Sequence, residues 1–509
     1  VKIFWRINQR ALIYALALLI QLILLIGTIV LFQNRFYLFY VFSIILSVGV
    51  VIWILQDASY PTYKLAWIIP ILVLPVFGGL LYLFFGRKRL MSKMRHALAL
   101  VAEKVPLVLQ QDREVLDALE QESPDAARQA SYLAQRMKKP VFIHTESKFL
   151  PTGEVKFSRM MKELEKAERY IFLEYFIIDE GFMWGSILGL LKEKVRQGVD
   201  VRVIYDDAGC ISKLPAGYDR YLEKMGIRCA VFNPMRPVIG AQFNSRDHRK
   251  IAVVDGLVGY TGGINLADEY INEIERFGHW KDTAIELKGE AVWSLTVMFL
   301  TVWDYLRGET QPYHFYEPSY VDFKGVTDGY VQPFDDSPLD NERVGENVYL
   351  NMISRARQYV YITTPYLVID NELLTALSLA AKSGVDVRIT TPHIADKRWV
   401  HAVTRSYYKM LMDSGVRIYE YTPGFIHSKT FVSDDLYGVV GTINMDFRSL
   451  FLEFECAVWL YDTKSVIEIR DDYFETLEKC MEITTEALNE VKLGARITGQ
   501  VLRVFSPLM

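Results

Sequence analysis

The chain has 509 residues, 51% of them apolar, with 57 basic against 61 acidic side chains and a net charge of −4. That length exceeds one ordinary hydrophobic core and calls for two or three domains. The charge balance excludes broad, sequence-independent nucleic-acid binding, which needs many phosphate-neutralising Lys and Arg side chains.

Mean hydropathy is +0.12, and the apolar excess sits in the N-terminal segment. Three uncharged apolar runs open the chain, at 11–32, 36–55 and 65–85. Each has about the 20 residues that cross a bilayer core. A cleaved leader would show one short run, so these read as anchors within a membrane segment, residues 1–95. Pro70 and Pro75 interrupt the third run and predict a kink or a re-entrant path. Basic clusters flank both ends: Lys2, Arg6 and Arg10 before, and Arg87, Lys88, Arg89, Lys93 and Arg95 after. Three full spans cannot put both flanks inside. The denser cluster places the large C-terminal part in the cytoplasm.

Residues 96–139 read as a helical juxtamembrane linker, either a collar or a solvated spacer, with Ser123-Pro124-Asp125 as a break and a new N-cap. From about 140 the pattern becomes α/β. Strands are expected at 170–178, 199–206, 228–232 and 250–255, with helices at 154–169 and 185–197. The same order then recurs. RYIFLEYFIID is echoed by QYVYITTPYLVID, GVDVRVIYDD by GVDVRITTPH, GIRCAVF by GVRIYEY, and HRKIAVVD by HSKTFVSD. A duplicated pair of halves follows, at 140–308 and 346–509, the second ending in a C-terminal helix. Residues 309–345, rich in Pro, Asp and Gly, read as a linker. Cys210, Cys229, Cys456 and Cys480 form no C-x-x-C pair and read as reduced packing residues.

Each half carries H-x-K-x-x-x-x-D, as His248, Lys250 and Asp255, then His427, Lys429 and Asp434. Seventeen positions after each His stands an Asn, Asn265 in Gly262-Gly263-Ile264-Asn265 and Asn444 in Gly441-Thr442-Ile443-Asn444. On a strand, residues i and i+2 share a face, so His and Lys are expected to project together into one cleft. An imidazole beside an ammonium suits attack on a phosphodiester: the ring is nucleophile or proton carrier, and the cation neutralises phosphoryl oxygens. The Asn amides are candidate phosphate donors. A nucleophilic His also needs an orienting carboxylate. Asp282 in the first half and Glu455 in the second are the candidates, each expected to serve the His of its own half. Asp255 and Asp434 belong to the candidate catalytic boxes. Their odd offset from the His makes them read as tethers for the turn that follows.

The paired boxes with G-G-x-N and G-T-x-N resemble the phospholipase D superfamily. FNSRDHRKIAVVDG, GGINLADEYI and GHWKDT resemble the first half of bacterial cardiolipin synthases, and ITTPYLV, YTPGFIHSKT, GTINMDFRS and LEFE resemble the second. AWIIPILVLPVFGGLLYLFFGR and the ending LRVFSPLM are similar to that family's membrane segment and C-terminus. The resemblance covers about residues 60–509, and the run at 11–32 is an extra segment beside it. It implies N-terminal transmembrane helices followed by two α/β sandwich halves packed face to face as a pseudo-dimer. It implies a multi-pass bacterial plasma-membrane enzyme that needs no metal or other cofactor, and whose partners are phosphatidylglycerol and cardiolipin rather than nucleic acid. In that scheme His248, oriented by Asp282, is the nucleophile, and His427, oriented by Glu455, is the general acid. Lys250, Lys429, Asn265 and Asn444 hold phosphoryl oxygens. Independently, no G-x-x-x-x-G-K-[ST] loop is present, consistent with a near-thermoneutral exchange of one phosphodiester for another. A hydrolytic phospholipase D or another phosphatidyltransferase would use the same site. A tethered nuclease would need a long basic groove, and a scaffold would not need both boxes intact.

Overall fold

The computed structural model describes Leu19, Ile23, Ile26 and Gly27, and residues 36–56, 61–74, 78–79, 82, 92–235, 245–309, 312–326, 328–340, 342–490 and 493–508. Near the N-terminus, α1 (Phe36–Gln56) packs on α2 (Pro61–Val73), which carries Pro70 internally. Ile54, Trp67, Ile71 and Tyr82 form a small core there. Among the described residues no helix is long and apolar enough to cross a membrane. The run at 11–32, apart from four residues, and much of 75–85 lie outside the described residues.

Two sheets follow. The first contains β1 (Thr145–Leu150), β2 (Tyr170–Tyr175), β3 (Asp200–Asp206), β4 (Arg228–Phe232), β5 (Lys250–Val254), β6 (Val258–Gly262) and β8 (Ala284–Gly289), in the order β1-β8-β6-β5-β2-β3-β4. Between β6 and β8 lies the short β7 (His279–Lys281). The second sheet contains β9 (Tyr330–Asp336), β10 (Tyr359–Thr363), β12 (Asp386–Pro392), β13 (Arg417–Tyr421), β15 (Thr430–Ser433), β16 (Tyr437–Gly441), β18 (Glu455–Tyr461) and β19 (Cys480–Glu482). Its order is β19-β13-β12-β10-β15-β16-β18-β9. The short strands β11 (Leu367–Val368), β14 (Gly424–Ile426) and β17 (Met445–Asp446) lie outside it. In both sheets two βαβ crossovers give parallel strands, and the hairpin carrying the H-x-K box pairs antiparallel beside them. β9 falls inside the segment expected to be linker. Its seven residues pair with all of β18, so an edge strand of the second sheet precedes the repeat itself.

Strand alternation divides the core into layers. Ile171 and Leu173 of β2 face outward under α3 (Gly153–Lys166) and α4 (Phe182–Arg196). Phe172 faces inward, into a core shared by both sheets, with Val253, Leu287, Tyr361, Val440 and Leu460. That shared core also takes α5 (Val292–Arg307) and α9 (Lys464–Leu477). Phe172 stacks on Phe299 of α5 at 4.6 Å, and Tyr361 on Tyr473 of α9 at 4.9 Å. The second sheet's outer face is covered by α6 (Val344–Arg355), α7 (Asn371–Lys382) and α8 (Arg398–Met412). The helices Arg113–Glu122 and Pro124–Ser131 join this outer core through Leu119, Ala126 and Ala130, so the 96–139 segment packs rather than spacing. Ser123 caps the second of them by accepting from the Ala126 N–H.

Asp255 and Asp434 have left-handed backbones, with φ of 54° and 56°, in the turns after β5 and β15. The Asp255 carboxylate accepts from the N–H groups of Glu168, Arg169 and Tyr170, each at 2.8 Å. Asp434 does the same for Arg357, Gln358 and Tyr359, at 2.7–2.9 Å. Both therefore tie their own turn to the start of the neighbouring strand, not to the segment that follows. At a strand's rise per residue, Asp255 stands about 20 Å from His248. The two aspartates of the candidate boxes thus bond backbone N–H groups at the turns and do not line the cavity that holds the histidines. Replacing Asp255 by Ala uncouples three backbone donors and strains the turn, and should destabilise by about 2 kcal/mol. Asp255→Asn keeps one acceptor and tolerates φ > 0, so thermal unfolding should show a smaller loss, with turnover per folded molecule retained.

Candidate active site

Two short parallel contacts join the halves, and the site is built on them. β14 of the second half pairs with β7 of the first, with Phe425 opposite Trp280 and Ile426 opposite Lys281. Symmetrically, Asp247 bridges Phe454 in parallel. Each contact is continued by one hydrogen bond, His427 N–H to the Lys281 carbonyl at 2.7 Å and His248 N–H to the Phe454 carbonyl at 2.9 Å.

The residue after each strand now meets the residue after its partner. His427 Nδ1 lies 2.6 Å from Asp282 Oδ2, and His248 Nδ1 lies 2.9 and 3.0 Å from the two oxygens of Glu455. The carboxylates are thus crossed between halves. Asp282, expected to serve His248, holds His427, and Glu455, expected to serve His427, holds His248. Counting positions within one half missed this, because the pairing is made by inter-half strand register.

Local sequence differences fit the two carboxylates. A Cβ at Gly263 would lie 2.0 Å from Asp282 Oδ1, so glycine is what admits the short side chain there. The matching position in the second half is Thr442, whose hydroxyl donates to Glu455. Glu453 adds a third carboxylate, 3.9 Å from His248 Nδ1 and paired with Arg448 Nε at 2.5 Å. His248, Glu453 and Glu455 bring possible metal-donor atoms within 4.8 Å of one another. Arg448 and the Coulomb attraction of Lys250 for Glu455 already offset this acidic group.

Both imidazoles line one cavity of about 580 Å³, together with Asn265 and Asn444. The lysines do not line it. Lys250 and Lys429 are 0% and 2% exposed beneath the floor, and each ammonium donates to the main-chain carbonyl of the His two positions before it. The Asn265 amide is committed as well, donating to the Tyr270 hydroxyl at 2.7 Å and accepting from the Ile177 N–H at 3.0 Å. Asn444 Oδ1 is buried with no hydrogen-bond partner among the described residues. The walls are aromatic: Trp280, Phe425 and Tyr270 lie 5.5, 5.9 and 5.8 Å from the His427 ring, and Phe176 lies 5.1 Å from His248. Arg276, Lys397 and Arg448 supply positive charge around the lining.

Burial dominates the electrostatics. It lowers the His427 imidazole to about 4, with Lys429 adding to the shift and Asp282 opposing it. It pushes the His248 imidazole well down, assisted by Lys250 and Lys429, and the Glu455 carboxyl well up. Burial also lowers Lys429 to about 7 despite Asp282. A third interior lysine, Lys156 of α3, is lowered to about 7 by burial and donates to the Ile264 carbonyl at 3.0 Å, behind the Gly263–Asn265 turn. In each His, Nδ1 is engaged and Nε2 remains for chemistry at the cavity. The arrangement suits an incoming anion, which would relieve the crowding of buried cations.

Known proteins place this geometry in a family. The family model described as "Cardiolipin synthase, PLD-like domain" matches residues 160–277 and 349–477, one block per half. "Phospholipase_D-nuclease N-terminal" matches residues 45–87. An uncharacterized protein of Streptococcus mutans is 42% identical over 91% of this chain and 100% of its own length. A cardiolipin synthase of Geobacillus sp. is 37% identical over 88% of this chain and 89% of its own. The crystal structure of a phosphatidylserine synthase from Haemophilus influenzae superposes with a TM-score of 0.55 at 14% identity, covering 75% of this chain and 98% of that one, which bears on fold alone. Two matched halves with one His box each, and a named relative aligned along nearly the whole length, lead to one conclusion: the chain belongs to the cardiolipin synthase family of phospholipase D-type phosphatidyltransferases.

Proposed function

We propose that the protein joins two phosphatidylglycerol molecules into cardiolipin and glycerol at a bacterial plasma membrane, through a phosphohistidine. The observation that carries this reading is the pair of imidazoles at one cavity, each held through Nδ1 by the other half's carboxylate. His248 Nε2 attacks the phosphorus of the first lipid. The negative charge of the bound phosphodiester draws the His427 imidazole back upward so that it takes up a proton at Nε2, and the P–O bond to glycerol breaks as that proton passes to the leaving oxygen. The terminal hydroxyl of a second phosphatidylglycerol then loses its proton to His427, its oxygen bonds to phosphorus, and the P–N bond breaks. Lys250 and Lys429 act through their field from beneath the floor, and Asn444 offers its amide to the phosphoryl oxygens.

The cavity has the size of a small-ligand site, so it takes head groups while acyl chains stay outside. Its aromatic walls do not form the long basic groove a nuclease would need. An apolar surface supports membrane placement: α1 turns Phe42, Ile45 and Ile52 outward, and α2 turns Leu65, Leu72 and Val73 outward. Exposed area of this kind is satisfied by lipid.

In phosphatidylglycerol vesicles without added nucleotide, the purified chain should release cardiolipin and glycerol. Phosphatidic acid as the main product would make it a hydrolase instead. His248→Ala and His427→Ala should each lower turnover by at least about 10³-fold.

The crossed carboxylates give a finer test. With a p-nitrophenol-leaving phosphatidyl ester, which needs no acid catalyst, loss of the nucleophile abolishes the burst and loss of the acid does not. Glu455→Gln should therefore group with His248→Ala, and Asp282→Asn with His427→Ala. The opposite grouping would restore pairing within halves.

Lys429, lowered to about 7 by burial, should be drawn back upward by a bound anion. Between about pH 7 and 9, inorganic phosphate binding should thus take up protons. Calorimetry in buffers of different ionisation enthalpy measures this, and Lys429→Met should lower the proton uptake relative to wild type.

A further inference from the structure

The C-terminal helix α10 (Leu493–Val504) has one face committed to the protein and one uncommitted. At 100° per residue, Gly499 and Leu502 share the inner face. Leu502 packs against the second half's core, and Gly499 crosses α8 so closely that a Cβ would lie 2.7 Å from the Ala402 carbonyl oxygen. Leu493, Ile497, Val501 and Val504 form the opposite stripe and are 71%, 52%, 53% and 43% exposed. Arg496 is exposed beside it.

The helix that bears this stripe lies beside two other features. Both α10 and the short turn Ser506–Leu508 after it contact α2 of the apolar hairpin. Ser506 itself is buried and lines the cavity. Nearby, α8 begins with exposed Lys397, Arg398 and Trp399, of which Lys397 and Trp399 also line the cavity. The apolar hairpin, the helix bearing the apolar stripe and a cationic, Trp-bearing rim thus pack together around one mouth. An amphipathic helix with basic residues at its edge and an exposed Trp alongside is suited to an anionic lipid surface.

We infer that the outer face of α10 seats on an anionic bilayer beside the α1–α2 hairpin, so that the mouth lined by Lys397, Trp399 and Ser506 opens onto the membrane and head groups enter without leaving it. The inference rests on the reading of the substrates as lipids, and it assigns α10 a role separate from anchoring. Anchoring holds the chain at the membrane, whereas α10 sets the orientation of the mouth.

The test uses the full chain with Ile497→Glu and Val501→Glu combined, both on the exposed face. Turnover is measured on phosphatidylglycerol in phosphatidylcholine vesicles, and on a short-chain phosphatidylglycerol held monomeric. The variant should lose about tenfold on vesicles, from two apolar side chains no longer buried at the interface, and keep its rate on the monomeric substrate. Wild-type failure on both substrates would strike at the proposed function, not at this inference. Unchanged vesicle turnover overturns the inference. So does an equal fall on both substrates, which would mean a structural role. Conversion of a wild-type dimer to a monomer by the substitutions also overturns it, because a second copy would then be what covers the stripe.

Discussion

Parallel strand register between the halves is the constraint on which the site depends. Hydrogen bonding of Gly424–Ile426 to His279–Lys281 sets His427 beside Asp282, and the Asp247–Phe454 bridge sets His248 beside Glu455. Neither histidine has its carboxylate without the other half. The shared aromatic core between the sheets, with Phe172, Phe299, Tyr361 and Tyr473, therefore also helps to keep both histidine–carboxylate pairs together. A shift of one residue in either contact would exchange the facing side chains and leave both imidazoles without partners.

The second constraint is charge in a dry place. Lys250, Lys429 and Lys156 are fully buried around Asp282, Glu455 and Glu453, and the imidazoles are pushed toward neutrality. Burying charge is costly even where cations and carboxylates face one another. Under the proposed function, a phosphodiester entering the cavity would add negative charge beside these lysines and couple its binding to the recovery of lysine protonation. Preorganised positive potential of this kind needs no reorganisation when charge moves in the transition state.

Duplication here is not identity. The first half uses the shorter Asp282 and needs Gly263 to admit it, whereas the second uses the longer Glu455 and steadies it with the Thr442 hydroxyl. His427 lies among Trp280, Phe425 and Tyr270, while His248 has Phe176 and the extra carboxylate Glu453. Such differences let two copies of one motif take unequal roles on one substrate.

The sequence by itself determined the repeat, the two His boxes with their Asn partners and the α/β strand order, because these are local patterns: period-two burial, a turn that needs a left-handed aspartate, and fixed spacing along one chain. It also carried Asp282 and Glu455 as the carboxylates to watch. Only the tertiary structure decided which histidine each one holds, since that follows from hydrogen-bond register between segments 145 and 207 positions apart. The same holds for the lysines, which the i, i+2 rule aimed into the cleft and which instead turn back to their own histidine carbonyls beneath its floor. Tyr330–Asp336 looked like linker because Pro333 and its acidic neighbours read as a turn, yet pairing with β18 along one edge outweighs that local preference.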